Sequence, residues 1–172
     1  GVAFGGAVTF DGVGGGWTLG SALNIGTTIS SQITISNGTF DTSGYAVIAY
    51  NFQSSNSNVR TINLNASTLT LNSTSTPWDM ATSTNATLNA GTSTINGSNV
   101  SATFAGGGLT YYNVSFTSTA LASPSITGAN TFNNLTITGR TTIGIGVLSL
   151  SADQTINGTF TVSAGTASAY RM

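Results

Sequence analysis

Apolar and polar residues alternate at period two along most of the chain. The clear cases are Ile33/Ile35, Ile62/Leu64, Leu69/Leu71, Val100/Ala102/Phe104, Val114/Phe116, Leu135/Ile137, Ile143/Ile145/Val147 and Phe160/Val162. That period turns every second side chain to one face of a strand, so each segment predicts a short strand with one buried face. Between the segments lie Asn37-Gly38, Ser43-Gly44, Asn96-Gly97, Gly106 to Gly108 and Asn157-Gly158, residue types that supply the positive φ of tight turns. No window carries the i, i+3, i+4, i+7 apolar spacing of a helix. Thr, Ser, Asn and Gly also disfavour helix, so the expected class is all-β.

Internal similarity bears on the architecture. Ile35-Ser36-Asn37-Gly38-Thr39-Phe40 resembles Ile156-Asn157-Gly158-Thr159-Phe160, and Gly128-Ala129-Asn130-Thr131-Phe132-Asn133-Asn134-Leu135 begins in a related way. Recurrence of this kind in a Gly/Asn-punctuated β chain marks coils that bury their apolar face on one another. A parallel β-helix (β-solenoid) is the reading that also accounts for composition, because stacked coils place Asn, Thr and Ser side chains in ladders that satisfy polar groups without charge. An antiparallel β-sandwich is the competing arrangement, kept open by the uneven repeat spacing.

Composition sharpens this picture. Of 172 residues, 31 are Thr, 23 Ser, 17 Asn and 22 Gly, more than half the chain, whereas only four Asp and three Arg carry charge. A net charge of −1 with 39% apolar residues separates the chain from disordered sequences, which are poor in apolar residues and highly charged. Length suits a single domain over 1–172. With Arg60, Arg140 and Arg171 scattered and no Lys, no basic patch for nucleic acid is expected. The densest apolar stretches, Ala46 to Tyr50 and Ile143 to Leu150, are too short for a membrane-spanning helix. The absence of His, Cys, Lys and Glu removes the imidazole base, the thiolate and the Schiff-base amine, so no enzyme, cofactor or metal site is expected.

Thr103 to Thr117, read as TFAGGGLTYYNVSFT, followed by Ile126 to Ile137, read as ITGANTFNNLTI, resembles a repeat of structural proteins of tailed bacteriophages and of large surface proteins of environmental bacteria. Trp17-Thr18-Leu19 and Asn37 to Tyr45 are similar to the beginning of the same repeat region. The resemblance implies a virion or cell-surface structural role within a longer polypeptide, and it carries no catalytic motif.

Among candidate residues, Asp11, Asp41, Asp79 and Asp153 are the only acids. A glycoside-cleaving pair would have to be assembled from them by the fold, but Phe10-Asp11-Gly12 and Phe40-Asp41-Thr42-Ser43-Gly44 are turn contexts in which Asp bonds its own backbone. Trp78, between Pro77 and Asp79 in the longest non-repeating insertion, is a candidate for an exposed recognition loop, with the filling of a coil corner as the competing role. The alternation through Leu109 and Tyr111 changes phase at Val114 and Phe116, which predicts a bend near Tyr112 that turns one Tyr inward and the other outward. Tyr112 is the second candidate surface residue. Thr-x-Thr, the ice-facing pattern of some solenoids, starts at Thr68, Thr74, Thr82, Thr92, Thr117, Thr136 and Thr159, but an ice-binding face would need even spacing coil after coil.

The function expected from these readings is a non-enzymatic structural protein of a phage virion: a tail fibre, spike or capsid-attached appendage. A bacterial or archaeal surface adhesin or extracellular filament subunit is the alternative. A carbohydrate-active β-helix enzyme and an ice-binding protein stand further back. Expected partners are further copies of the chain, in a trimer or larger homo-oligomer, other virion proteins and a host surface glycan. The expected location is the virion or the cell exterior.

Overall fold

A computed structural model describes residues 2–99, 102–120, 123–139, 146–163 and 170–171. Among them no helix forms and every strand pairing is parallel, in a β-solenoid of about six turns. The parallel pairing overturns the antiparallel sandwich: each strand pairs with the equivalent strand one coil away, and the chain between them is a full circuit rather than a hairpin.

Each early coil visits three sheets in turn. Val2–Ala3, Val8–Phe10 and Gly16–Thr18 make the first circuit, Leu23–Asn24, Gln32–Ile35 and Gly38–Asp41 the second, and Val47–Ala49, Asn51–Gln53 and Arg60–Asn63 the third. Thr68–Leu71, Trp78–Asp79 and Ala86–Asn89 make the fourth. The first strands of these circuits belong to a nine-stranded sheet, the second strands to a seven-stranded sheet and the third strands to a four-stranded sheet. Gly146–Val147 and Tyr170–Arg171 form a separate pair.

Register converts the period-two sequence into columns. Leu23, Val47, Leu69, Ile95, Val114 and Leu135 stack inward in the nine-stranded sheet, and all are buried. Each fully buried side chain of this kind is worth about 1.5–3 kcal/mol relative to leaving it exposed, set against the entropy of ordering its strand. Phe160 and Val162 continue the columns over Leu135 and Ile137 but remain 38% and 45% exposed, because no described strand covers theirs. Val100, Arg140, Ile143 and Ile145 lie outside the described residues.

Outward positions close on themselves. Asn63 Nδ2 donates to Asp41 Oδ2 (3.3 Å) and Asn89 Nδ2 to Asn63 Oδ1 (2.7 Å) along the four-stranded sheet. On the nine-stranded sheet, Asn134 Nδ2 donates to Asn113 Oδ1 (2.8 Å) and Asn113 Nδ2 to Thr94 Oγ1 (3.2 Å). Such ladders let a sheet face carry polar residues with little charge, Asp41 being the one acid in those named, which is how a chain with seven charged Asp and Arg residues builds its exterior.

Glycine usage divides in two. Gly107 has φ +65°, and a Cβ there would meet the Met80 carbonyl oxygen, so the turn of Gly106 to Gly108 requires glycine both for its dihedral and for the close approach of the coil below. Asn96-Gly97, expected as a turn, instead ends the strand Thr94–Gly97, with Gly97 buried in the inward column between Leu71 and Phe116. There the missing side chain leaves space that Phe116 and Pro77 approach.

The repeat-like segments have a geometric basis as well. Ile35 to Phe40 turns from the seven-stranded into the four-stranded sheet, whereas Ile156 to Phe160 joins two strands that both pair with Thr131–Ile137 in the nine-stranded sheet. The shared motif makes a corner between sheets in the first copy and a one-residue bulge within one sheet in the second, so it marks no fixed place in the circuit.

Candidate functional site

Trp78 is not on an exposed loop. It lies in the strand Trp78–Asp79, fully buried, with its ring stacked on Phe52 (4.7 Å, 12°) and on Phe104 (6.3 Å, 9°). A two-residue strand shows no periodicity of its own, so only the register with Phe52 and Phe104 reveals that the indole points inward. These rings belong to a continuous aromatic spine of Trp17, Phe10, Phe40, Phe52, Trp78, Phe104, Tyr111 and Phe132.

The bend at Tyr112 is present. In Thr110–Phe116, Tyr111 and Val114 are both buried, and Tyr112 is skipped in the ladder to Thr131–Ile137. Tyr111 turns inward, accepts a hydrogen bond from Trp78 Nε1 (3.0 Å) and donates to the Gly106 carbonyl (2.7 Å), while Tyr112 stays half-buried at the surface. Burial pushes the Tyr111 phenol above its ordinary value of 10, an effect that the Trp78 N–H only partly offsets. The phenol therefore ionises in the unfolded chain before it can in the folded one. Its contribution to stability is complete below pH 10 and is lost as pH rises beyond that. Urea titrations at rising alkaline pH should show this decline with a slope of one proton, and Tyr111→Phe should remove that component.

The acids do not assemble. Asp41 Oδ1 accepts from the Ser43 amide (2.7 Å) and Asn65 Nδ2 (2.7 Å), and Asp11 Oδ1 accepts from Asn37 Nδ2 (2.6 Å). Asp79 Oδ1 accepts from the Ala81 amide (3.1 Å). In their columns Asp41 stands between Thr18 and Asn63, and Asp79 between Gln53 and Ala105. Asp153 is exposed. No group of three or more acids lies within reach of one cation among the described residues. Threonine ranks are interrupted too. The coil after Thr68 and Thr70 presents Thr94 and Asn96, and the next presents Asn113 and Ser115.

Arg60 is one of three positive charges scattered along the sequence, yet it is 1% exposed. Its Nε donates to the Ser54 carbonyl (3.1 Å) and Ser54 Oγ (2.7 Å), and Nη1 donates to the carbonyls of Asn58 (2.8 Å) and Thr84 (3.0 Å). Nη2 donates to the carbonyls of Ser54 and Thr82 (2.8 Å to the latter). The guanidinium thereby ties one corner of the third coil to the same corner of the fourth. Burial lowers its pKa. Its role carries no periodic signal in the sequence, because it depends on the carbonyl-rich corners of two coils around it.

One surface concavity combines an aromatic ring with free polar groups. Ala86–Asn89 is the end strand of the four-stranded sheet, because the later coil replaces the third strand and corner by running straight through Thr110–Phe116. The step leaves a notch of about 410 Å³ at the corner, lined by Leu88, Asn89, Thr110, Tyr112, Asn133 and Asn157 together with Ala90, Gly91 and Tyr111. Asn133 and Asn157 make no side-chain hydrogen bond, in contrast to Asn63, Asn113 and Asn134 in the ladders. Larger concavities of about 470 and 570 Å³ lie at the first and last described coils. Their walls, Val8, Phe10, Trp17 and Leu23 at one and Leu148, Leu150, Ile156 and Phe160 at the other, belong largely to the inward columns of the stack.

No family model matches the chain, and neither a curated protein nor a solved structure matches it.

Proposed function

We propose that the chain is a non-enzymatic structural element of a phage particle, a rigid segment of a fibre, spike or capsid-attached appendage. The observation that supports this reading best is the continuous parallel stack itself. Backbone hydrogen bonds join coil to coil along three sheets, the aromatic spine fills the interior, and uncharged ladders close the outward columns. Repeat stacks of this type make extended scaffolds whose neighbouring units stabilise each other. Side chains arranged to satisfy one another are poorly placed for acid–base chemistry, and Asp11, Asp41 and Asp79 are engaged as turn and ladder acceptors. The reading includes self-association into a trimer or larger symmetric assembly, contact with other virion proteins, and a place on the virion.

Peptide mass spectrometry on gradient-purified particles tests it. The expected result is recovery of this chain with the particle at a constant ratio to other structural proteins. Recovery only from the envelope or secreted fraction of cells would overturn the phage assignment in favour of an adhesin. Sedimentation of the isolated chain at micromolar concentration should give a species of at least three copies, whereas a stable 17.3 kDa monomer would remove self-association from the proposal.

A further inference from the structure

The notch beside the end of the four-stranded sheet has the makings of a binding site that the scaffold does not need. We infer that it binds a neutral pyranose unit of an oligosaccharide, with Tyr112 as the stacking platform and Asn89, Asn133 and Asn157 as the hydrogen-bonding groups.

Asn63, Asn89, Asn113 and Asn134 enter ladders, whereas Asn96 on the nine-stranded sheet and, around the notch, Asn133 and Asn157 have both amide donors and carbonyl acceptors free. Asn89 spends its Nδ2 on Asn63 and keeps its Oδ1. The hydroxyls of Thr110 and Tyr112 also have no partner. A primary amide offers donor and acceptor side by side, which matches the vicinal hydroxyls of a sugar, each of which also donates and accepts.

The aromatic contribution is preorganised. Tyr111, its neighbour in the chain, is locked inside by the Trp78 and Gly106 hydrogen bonds, so the backbone that presents Tyr112 is anchored one residue away. A half-buried Tyr offers an apolar ring face with a polar tip, suited to the C–H face of a pyranose. Leu88 supplies further apolar wall. The volume lies within the range of about 300–1,000 Å³ typical of small-ligand sites.

Charge selects among sugars. None of the residues lining the notch is ionisable apart from the tyrosines, and Asp41, in the same sheet, is saturated by its own donors. An anionic sugar would lose hydration with no cation to receive it, whereas a neutral one loses only hydroxyl contacts that the amides replace. A peptide added to the open edge of Ala86–Asn89 is the other conceivable occupant, but it would leave the amides of Asn133 and Asn157 without a role.

The experiment is calorimetric titration of the full chain with maltohexaose, cellohexaose, mannohexaose and chitohexaose, with oligogalacturonate as the anionic comparison. Binding of at least one neutral oligosaccharide, and none of oligogalacturonate, is expected. Tyr112→Ala should weaken it by about tenfold or more, the size expected for loss of a stacked ring. Tyr112→Phe should retain most of the affinity, and Asn157→Ala should weaken it severalfold with the circular dichroism spectrum unchanged. Tyr50→Ala, a surface tyrosine away from the notch, should change nothing. No binding of any neutral hexaose at millimolar concentration, preference for the anionic sugar, or full affinity in both Tyr112→Ala and Asn157→Ala would overturn the inference. None of these results bears on whether the chain is part of a particle, so the two proposals fail separately.

Discussion

Replacing Trp78 by Ala should lower the unfolding free energy by about 3–5 kcal/mol, the range for truncating a fully buried large aromatic side chain. The indole has no exposed surface and lies nearly parallel to Phe52 and Phe104, with Tyr111 edge-on at 6.0 Å. Its removal would open a cavity in the middle of the spine, where coils above and below are held by their own register and have little freedom to collapse inward. It would also remove the N–H donor to Tyr111 Oη. Urea unfolding followed by circular dichroism measures the loss. Trp78→Phe should fall between, since it keeps a ring against Phe52 and Phe104 but loses both volume and that hydrogen bond. A loss below about 1 kcal/mol for Trp78→Ala, typical of surface substitutions, would show that the ring is not a core residue.

Arg60→Met is expected to cost a similar amount, about 3–5 kcal/mol, for a different reason. Methionine fills much of the same space and removes the burden of a desolvated charge, and for a buried ion pair such an exchange is often neutral. Arg60, however, pairs with backbone carbonyls of Ser54, Asn58, Thr82 and Thr84, and those acceptors stay when the guanidinium goes. The Ser54 carbonyl is buried and would pay its desolvation in full without a donor, and the part-buried carbonyls of Asn58, Thr82 and Thr84 would pay a share of theirs. Arg60→Lys keeps the charge but offers three donors in place of the planar fork, and should recover only part of the loss. The same urea experiment decides it, and a Met variant as stable as the parent would show that water satisfies these corners.

The strands were legible in the sequence because alternation is a local signal. Ile33/Ile35, Ile62/Leu64, Leu69/Leu71 and Leu135/Ile137 are buried pairs as the period requires, and the phase change between Tyr111 and Val114 marks the bend at Tyr112. Parallel stacking was legible through composition, since Asn and Thr in quantity suit ladders. What the sequence did not disclose depends on register between residues about 20 or more positions apart. Trp78 looked like part of an insertion because its strand spans two residues, and Gly97 looked like a turn because Asn-Gly is ambiguous until its inward neighbours are known. Arg60 and the notch were invisible for the same reason: carbonyls from two coils enclose the first, and the step where Thr110–Phe116 bypasses the third corner creates the second.

The coils hold their columns while differing in length. Thr94 and Asn113, one coil apart, are 19 residues apart, whereas Asn72 and Ser98, also one coil apart, are separated by 26. The surplus is carried by corners, where added or deleted residues bulge toward solvent without shifting the inward rows. Heredity can therefore edit such a chain at almost any corner, and at alternate strand positions needs to preserve only size and apolarity. Two descendants of one ancestor would keep the same stacked architecture long after their letters had ceased to align, so kinship among chains built this way is recorded in the order of columns more durably than in residue identity.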